Sequence, residues 1–362
     1  MKVGLVIPGT LDFPSGGFLY DRQLVAALRR AGDEVDVISL PWEAYARSMA
    51  RGLDPRLRAR LRSWRGDLLL QDELAHPSLL LVNHGLRRAG CIPTVSIVHH
   101  LHCSERLGSL ARAASLPVER AYLRSVDGFV FNGRSTRQAV ETLTGEAARG
   151  IVAAPGGDRL GPGATEEEAA ARSSEHGALR VLFVGNLIAR KGLLDLLGAL
   201  ASIPLDAWSL AVAGSPLVDP AHARQVQRFV EDHGLGHNVV MMGHIDDGEL
   251  ARQMRASHVL AVPSEYEGFG IVYLEAMGFG VVPIGSSEGG AGEIIENDRS
   301  GFLVRPGDRP ALSRTLQHLA ADRTALRSLA LGSLRRYRQF PGWEQRMSEV
   351  RSWLHAFAAA GA

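Results

Sequence analysis

Short runs of β-branched and aliphatic residues alternate with longer stretches of helical spacing along this chain, and that alternation restricts it to parallel sheets covered by helices. Strands are expected at Val3 to Ile7, Glu34 to Leu40, Asp67 to Leu70, Thr94 to Val98, Gly128 to Phe131 and Ile151 to Ala154. They are apolar almost throughout, as burial on both faces requires. Between the first two, Leu24, Val25 and Leu28 recur one helical turn apart, and Gly32 is placed to end the helix.

The alternation breaks at Gly156-Gly157-Asp158-Arg159-Leu160-Gly161-Pro162-Gly163, with Glu166-Glu167-Glu168 and a polar stretch from Arg172 to Gly177 after it. Turn formers and charge in that density read as a linker. The pattern restarts with strands at Arg180 to Val184, Ser209 to Ala213, Val239 to Met242, His258 to Val262 and Val281 to Ile284. The expected organisation is an α/β domain over 1–160, a linker over 161–178, a second α/β domain over 179–335 and a helical tail over 336–362 packing back on the first domain. A length of 362 residues suits two domains. Ligands of such folds bind at the carboxyl ends of the strands, so the function is expected between the domains.

With 46% hydrophobic and 22% charged residues the chain has the apolar material for two cores, which excludes disorder. Forty Lys and Arg against 39 Asp and Glu leave a charge of +1, so no basic field for nucleic acid exists and an anionic ligand has to be met locally. Two cysteines, Cys91 and Cys103, are too few for a disulfide framework and point to free thiols in a reducing compartment, the cytoplasm. The apolar run at the N-terminus is too short for a signal peptide, and no stretch reaches the length of a membrane span.

Three strand-to-helix junctions of the second domain carry chemistry. Gly185-Asn186-Leu187-Ile188-Ala189-Arg190-Lys191-Gly192 brings two cations to the expected start of a helix through Leu193, Leu196 and Leu197. Cations there oppose the helix dipole unless an anion such as phosphate sits between them and the free N–H groups. The competing reading has Asp195 neutralise Lys191 with nothing bound. In Pro263-Ser264-Glu265-Tyr266-Glu267-Gly268-Phe269-Gly270-Ile271-Val272-Tyr273-Leu274-Glu275-Ala276-Met277, two glycines admit close backbone approach and a helix beginning near Ile271 offers a second anion site. Glu275, one turn along, suits the hydroxyls of a ribose, the partner of acidic residues in dinucleotide sites. Ser286 to Ile295 is a third glycine-rich junction, and Pro14-Ser15-Gly16-Gly17-Phe18-Leu19-Tyr20 a fourth in the first domain; each alone reads equally as a tight turn. None has the spacing of a Walker A loop or a dinucleotide glycine fingerprint.

On these residues the chain resembles the retaining glycosyltransferases of family 4, including their glycogen-synthase-like and mannosyltransferase-like members. The motifs are Gly16-Gly17, Val184-Gly185 with Lys191-Gly192, the Glu267 and Glu275 pair, Gly289 to Ile295 and Gly301-Phe302-Leu303-Val304, which span nearly the whole chain. The resemblance implies the GT-B fold, two Rossmann-like domains with parallel sheets facing a cleft, the first on the acceptor side and the second binding a nucleotide-sugar donor. It implies that Lys191 holds the donor diphosphate, Glu275 the ribose, and Glu267 with the backbone of Phe269, Gly270, Ile271 and Val272 the sugar and phosphates. Gly185, Asn186 and Arg190 complete the donor set. Where the family carries an arginine this chain has Asn186, and Arg190 is the expected substitute. His99 matches a histidine that approaches the donor sugar from the first domain, with Glu267 and Lys191 as its catalytic partners; Gly16, Gly17, Tyr20 and His100 lie on the acceptor side.

The implied reaction is transfer of a hexosyl group from a UDP- or GDP-linked sugar to a hydroxyl acceptor, a small molecule, glycan or lipid, with retained configuration. No cofactor is expected, and no metal: there is no Asp-X-Asp motif, and His99-His100-Leu101-His102-Cys103 lacks a second ligand cluster of recognised spacing. Lys191, Arg190 and the helix start near Ile271 are expected to stabilise the leaving diphosphate instead. Arg47, Arg51, Arg56, Arg58, Arg60, Arg62 and Arg65 with Leu53, Leu57, Leu61 and Trp64 resemble a basic amphipathic segment suited to peripheral contact with anionic membrane. The plainer reading, preferred here, is a surface helix packing its leucines on the sheet. The rival functions are a nucleotide-sugar epimerase of the same fold and a non-catalytic nucleotide-sugar sensor.

Overall fold

The computed structural model describes residues 1–88, 92–104 and 108–361, so Cys91 lies outside the described residues. The chain divides into two compact units, Met1–Pro155 with Glu344–Ala362, and Gly156–Trp343. No helix among the described residues is long and apolar enough to cross a membrane.

The first unit is a six-stranded parallel sheet of β1 (Lys2–Pro8), β2 (Glu34–Leu40), β3 (Leu68–Asp72), β4 (Thr94–Val98), β5 (Gly128–Phe131) and β6 (Gly150–Val152), in the order β2-β1-β3-β4-β5-β6. The direction of winding reverses between β1 and β3, so the carboxyl ends of β1, β3 and β4 surround a switch point. Helix Gly16–Arg30 follows β1; Ser15 caps it by accepting from the Phe18 N–H, and Phe18, Tyr20, Leu24, Val25 and Leu28 bury its inner face. Gly32, at φ +84°, turns the chain out of the helix, as its position suggested.

The arginine-rich segment departs from the single amphipathic helix the spacing suggested. It forms two helices, Tyr45–Arg51 and Pro55–Ser63, broken at Gly52 and recapped by Asp54. Leu57 and Leu61 are buried in the core of the first unit whereas Leu53 is exposed, so the leucine face is used by the fold. Helix Trp343–Gly361 belongs to this unit through Asp33, a buried carboxylate that accepts from Arg351 Nε at 2.6 Å and lies 3.1 Å from His355 Nε2.

The second unit has a parallel sheet of β7 (Leu179–Val184), β8 (Trp208–Ala213), β9 (Val239–Gly243), β10 (Val259–Ala261), β11 (Val282–Ser286) and β12 (Phe302–Val304), in the order β12-β11-β10-β7-β8-β9. This is the strand order of a dinucleotide-binding fold, with its switch point between β7 and β10. The segment 161–178 is structured within this unit. Thr165 and Glu168 form a capping box on helix Glu166–Ser173, so the three glutamates are the acidic first turn of a helix. Buried Arg172 then donates to the carbonyls of Phe279 and Gly280, both at 2.7 Å. Residue 336 falls inside helix Arg323–Tyr337, and the chain leaves the unit after Trp343.

Candidate functional site

The switch point of the second unit gathers the motifs that the sequence singled out. After β7 the backbone opens at Gly185 and makes a single 3-10 turn, Ala189–Lys191; only after Gly192 does helix Leu193–Leu200 begin. The two cations therefore precede the helix instead of opening it. Gly192 has φ +72°, and a Cβ there would stand 2.2 Å from the Pro263 carbonyl oxygen, which leaves glycine the residue that fits. This close approach, with the Glu265 N–H donating to the Arg190 carbonyl at 2.8 Å, fastens the Lys191 turn to the loop after β10.

Lys191 points along that seam and pairs with Glu267, whose Oε1 also accepts from Ser264 Oγ at 2.7 Å. Asp195, the local alternative partner, pairs with Arg309 at 2.7 Å. Burial pushes the Glu267 carboxyl up, but Lys191, then Arg190, and the Lys191 and Ser264 hydrogen bonds outweigh it and hold it down to about 2. Burial pulls Lys191 down, and the Glu267 charge offsets only part of that. The geometry is that of an ionised pair at neutral pH. Arg190 donates from Nη1 to the Tyr266 carbonyl at 2.8 Å, and Asn186 and Gly185 are half-buried beside the same turn.

Phe269 is buried, and Gly270, at φ +94°, starts helix Ile271–Gly278 with no side-chain cap, so its first N–H groups depend on other acceptors. Tyr273 anchors the helix by donating from its hydroxyl to the Val262 carbonyl at 2.6 Å. Ile271 and Val272 are half-buried. The third glycine-rich junction supports this loop: Gly290 N–H donates to the Glu267 carbonyl at 2.7 Å, and a Cβ at Gly289 would meet that oxygen at 2.1 Å. Glu275, 2% exposed, accepts from Arg159 Nε at 2.9 Å, and Arg159 also pairs with Asp247. Burial pushes Glu275 up, with Arg159 acting against it. Sequence reasoning assigned roles to neither Arg159 nor Ser264. Ser264 stands inside the quoted motif, whereas nothing local marks Arg159.

In the first unit, His99 lies just after β4 with Nε2 3.2 Å from Asp21 Oδ1, and its carbonyl accepts from Asn132 Nδ2 at 2.7 Å. Asp72 completes a buried trio whose potential ligand atoms all lie within 4.8 Å of one another, a set that suits a cation. The buried oxygens Asp21 Oδ2 and Asp72 Oδ2 have no hydrogen-bond donor among the described residues. Burial first, and then the Asp21 charge, push Asp72 up to about 7, so near neutral pH a proton held there serves the pair. For His99, burial opposes the charged ring but Asp21, Asp72 and Glu73 outweigh it and hold it above the ordinary histidine value. Gly17 is shaped to this ring, since a Cβ would come within 2.9 Å of His99 Cδ2, while Gly16 is exposed one residue earlier. Tyr20 is buried and donates to the Ala153 carbonyl at 3.1 Å, and His100 is half-buried on the strand exit.

A second buried trio, Glu73, His76 and Glu119, also has its ligand atoms within 4.8 Å. Its members already have protein partners: Glu119 accepts from the His102 and Cys103 N–H groups, and His76 lies 3.0 Å from the Tyr45 hydroxyl. His102 stacks on Tyr45 and His99 belongs to the other trio, so the run 99–103 does not converge on one point. Cys103 is a buried free thiol pushed up to about 12 by burial and by Glu119.

Residues 165–331, within the second unit, match the family of glycosyl transferases group 1. The glycogen synthase of Mycobacterium tuberculosis is 27% identical over 295 residues, which cover 78% of this chain and 67% of that one. Among solved structures, sucrose-phosphate synthase from Thermosynechococcus elongatus superposes with a TM-score of 0.83 at 24% identity, covering 99% of this chain and 100% of the other. Anabaena HepE in complex with UDP-glucose superposes at 0.78 with 19% identity, covering 98% and 100%. The chain thus has GT-B architecture, and the Rossmann switch point carrying Lys191, Glu267 and Glu275 lies within the residues that match the glycosyl transferases group 1.

Proposed function

We propose that the second unit binds a UDP- or GDP-linked hexose at the β7/β10 switch point, and that the protein transfers the hexosyl group to a hydroxyl acceptor with retention of configuration. The observation that carries this reading is the half-buried Lys191 ammonium, held by Glu267 on a loop that runs into the uncapped start of helix Ile271–Gly278. An arriving diphosphate meets a cation and oriented N–H groups already in place, so the charge that develops on the leaving group is stabilised with little reorganisation. Lys191 then divides its hydrogen bonds between Glu267 and phosphate, Arg190 adds a second positive charge, and Glu275 accepts from ribose hydroxyls. These groups supply the countercharge that a divalent metal supplies elsewhere, so transfer is expected to persist in EDTA. HepE, which shares the fold, was solved with UDP-glucose, which favours UDP among the two donors. The buried Cys103 thiol fits a reducing compartment, the cytoplasm.

The test is a thermal-shift panel of UDP, GDP, ADP and their hexose conjugates with and without EDTA, followed by mass spectrometry of donor cleavage. A ligand at 100 times its dissociation constant adds about 2.7 kcal/mol to native stability. One nucleotide series that stabilises the protein in EDTA, with cleavage lost in Lys191→Ala and Glu275→Gln, is the expected result. Donor binding without cleavage under any acceptor identifies a sensor instead.

A further inference from the structure

Arg159 stands on the loop that enters the second unit, far in sequence from the motifs of the donor site, yet its guanidinium is wedged between two of that unit's carboxylates. Nε donates to Glu275 Oε1 at 2.9 Å, and Nη1 pairs with Asp247. The loop that carries it is fixed: Asp158 Oδ1 accepts from the Trp343 N–H at 2.9 Å, and Gly157 packs so tightly that a Cβ would lie 2.8 Å from Leu274 Cγ and from Tyr337 Cε2. Glu275 is 2% exposed, and its other oxygen, Oε2, makes no hydrogen bond among the described residues. A carboxylate is an acceptor only, so Oε2 keeps its capacity for a donor. An adjacent pair of hydroxyls supplies that donor.

We propose that Arg159 is a positioning residue for the nucleotide: by clamping Oε1 of Glu275 it presents Oε2 to the ribose hydroxyls, and so sets a preference for ribonucleotides over nucleotides that lack those hydroxyls. This rests on the donor-site reading given above. The groups facing Glu275 are Arg159, Asp247 and Tyr337, the last lying beside Asp158. Burial already favours the neutral form of Glu275 and Asp247 adds to it; Arg159 is the opposing charge. Removing the arginine therefore moves Glu275 further toward the protonated carboxyl, a poorer acceptor, and ties the ribose preference to pH.

The experiment measures binding of UDP and GDP, and of their 2′,3′-dideoxy counterparts, to the full chain between pH 6.5 and 8.5. The intact protein is expected to favour the ribose form of its nucleotide by roughly 10-fold or more at every pH, the scale of a hydrogen bond to a charged acceptor. In Arg159→Ala the preference falls to about 3-fold or less at pH 6.5 and recovers as the pH rises, because deprotonation restores the acceptor. Arg159→Lys restores part of it at low pH, and Glu275→Gln shows a small preference at every pH. Should Arg159→Ala fail to fold, Arg159→Lys carries the test, with a smaller loss. An Arg159→Ala protein that keeps the full, pH-independent preference, or that loses both nucleotide forms equally, overturns the proposal. If Lys191→Ala weakens binding while Arg159→Ala changes nothing, only the role of Arg159 falls. If the intact protein binds neither UDP nor GDP, the donor site falls and this inference with it.

Discussion

Replacing one member of the Lys191–Glu267 pair is expected to damage the second unit more than replacing both. Glu267 sits at about 2 against an ordinary 4.5, because the charges of Lys191 and Arg190 and two hydrogen bonds outweigh burial. A drop of about 2.5 units at ~1.36 kcal/mol each makes the ionised carboxylate a contribution of about 3 kcal/mol to folding at neutral pH. The folded-state value lies below the unfolded one, so this contribution is complete above about pH 4.5 and is lost as the pH falls toward 2. Lys191→Met leaves a buried carboxylate with its main countercharge gone, and should cost about 3 kcal/mol, within the range for breaking a buried pair. Glu267→Gln leaves the half-buried Lys191 ammonium without its carboxylate, at a smaller cost. The double variant strands neither, so its loss should fall short of the sum of the single losses by about 2 kcal/mol or more. Urea unfolding at pH 7, with its midpoint compared across pH 3 to 7, measures both quantities. Losses that add to within about 0.5 kcal/mol, or an acid-induced fall unchanged in Lys191→Met, refute the reasoning.

Two further outcomes follow from the same unit. Gly192→Ala combines a positive φ with a Cβ 2.2 Å from the Pro263 carbonyl, so it should cost at least about 2 kcal/mol and weaken nucleotide binding. Gly234→Ala, at φ +64° with nothing within 4 Å, should cost only the conformational part, about 1 kcal/mol, with binding intact; equal losses in urea unfolding reject the steric account. His258 is held neutral at about 3, by burial and then by Arg180, with Nδ1 accepting from the Arg180 N–H. Its folded-state value lies below the unfolded 6.5, so stability is full above about pH 6.5 and declines toward pH 3, by on the order of 4 kcal/mol. In His258→Gln that decline should largely vanish, and an unchanged pH profile sinks the assignment.

Eleven strand positions were legible, most of them because a doubly covered parallel strand has to be apolar on both faces; the edge strands Glu34–Leu40 and Val239–Gly243 keep exposed residues and stood out by their β-branched and apolar runs. The twelfth strand, Phe302–Val304, is three residues at the sheet edge with two of them half-buried, too short and too weakly apolar to stand out as a run. Helix Glu166–Ser173 was hidden because acidic residues in a first turn and in a solvated linker look alike until the capping box is seen. The arginine-rich segment left two readings open, since leucines at helical spacing do not say whether lipid or the protein's own core receives them; Leu57 and Leu61 go to the core.

The sequence by itself determined the two α/β series, the glycine-flanked loops after β7 and β10, and the presence there of a lysine and two glutamates. Those are consequences of local patterning and of conformations that side chains restrict. Which groups meet was decided by the tertiary structure alone. Lys191 takes Glu267, 76 residues away, and not the near neighbour Asp195, which goes to Arg309; Glu275 takes Arg159 across 116 residues. Charge pairing depends on distance and on exclusion of water, and both exist only once the strands have been ordered β10-β7 and the loops packed against one another through glycines that leave no room for a Cβ.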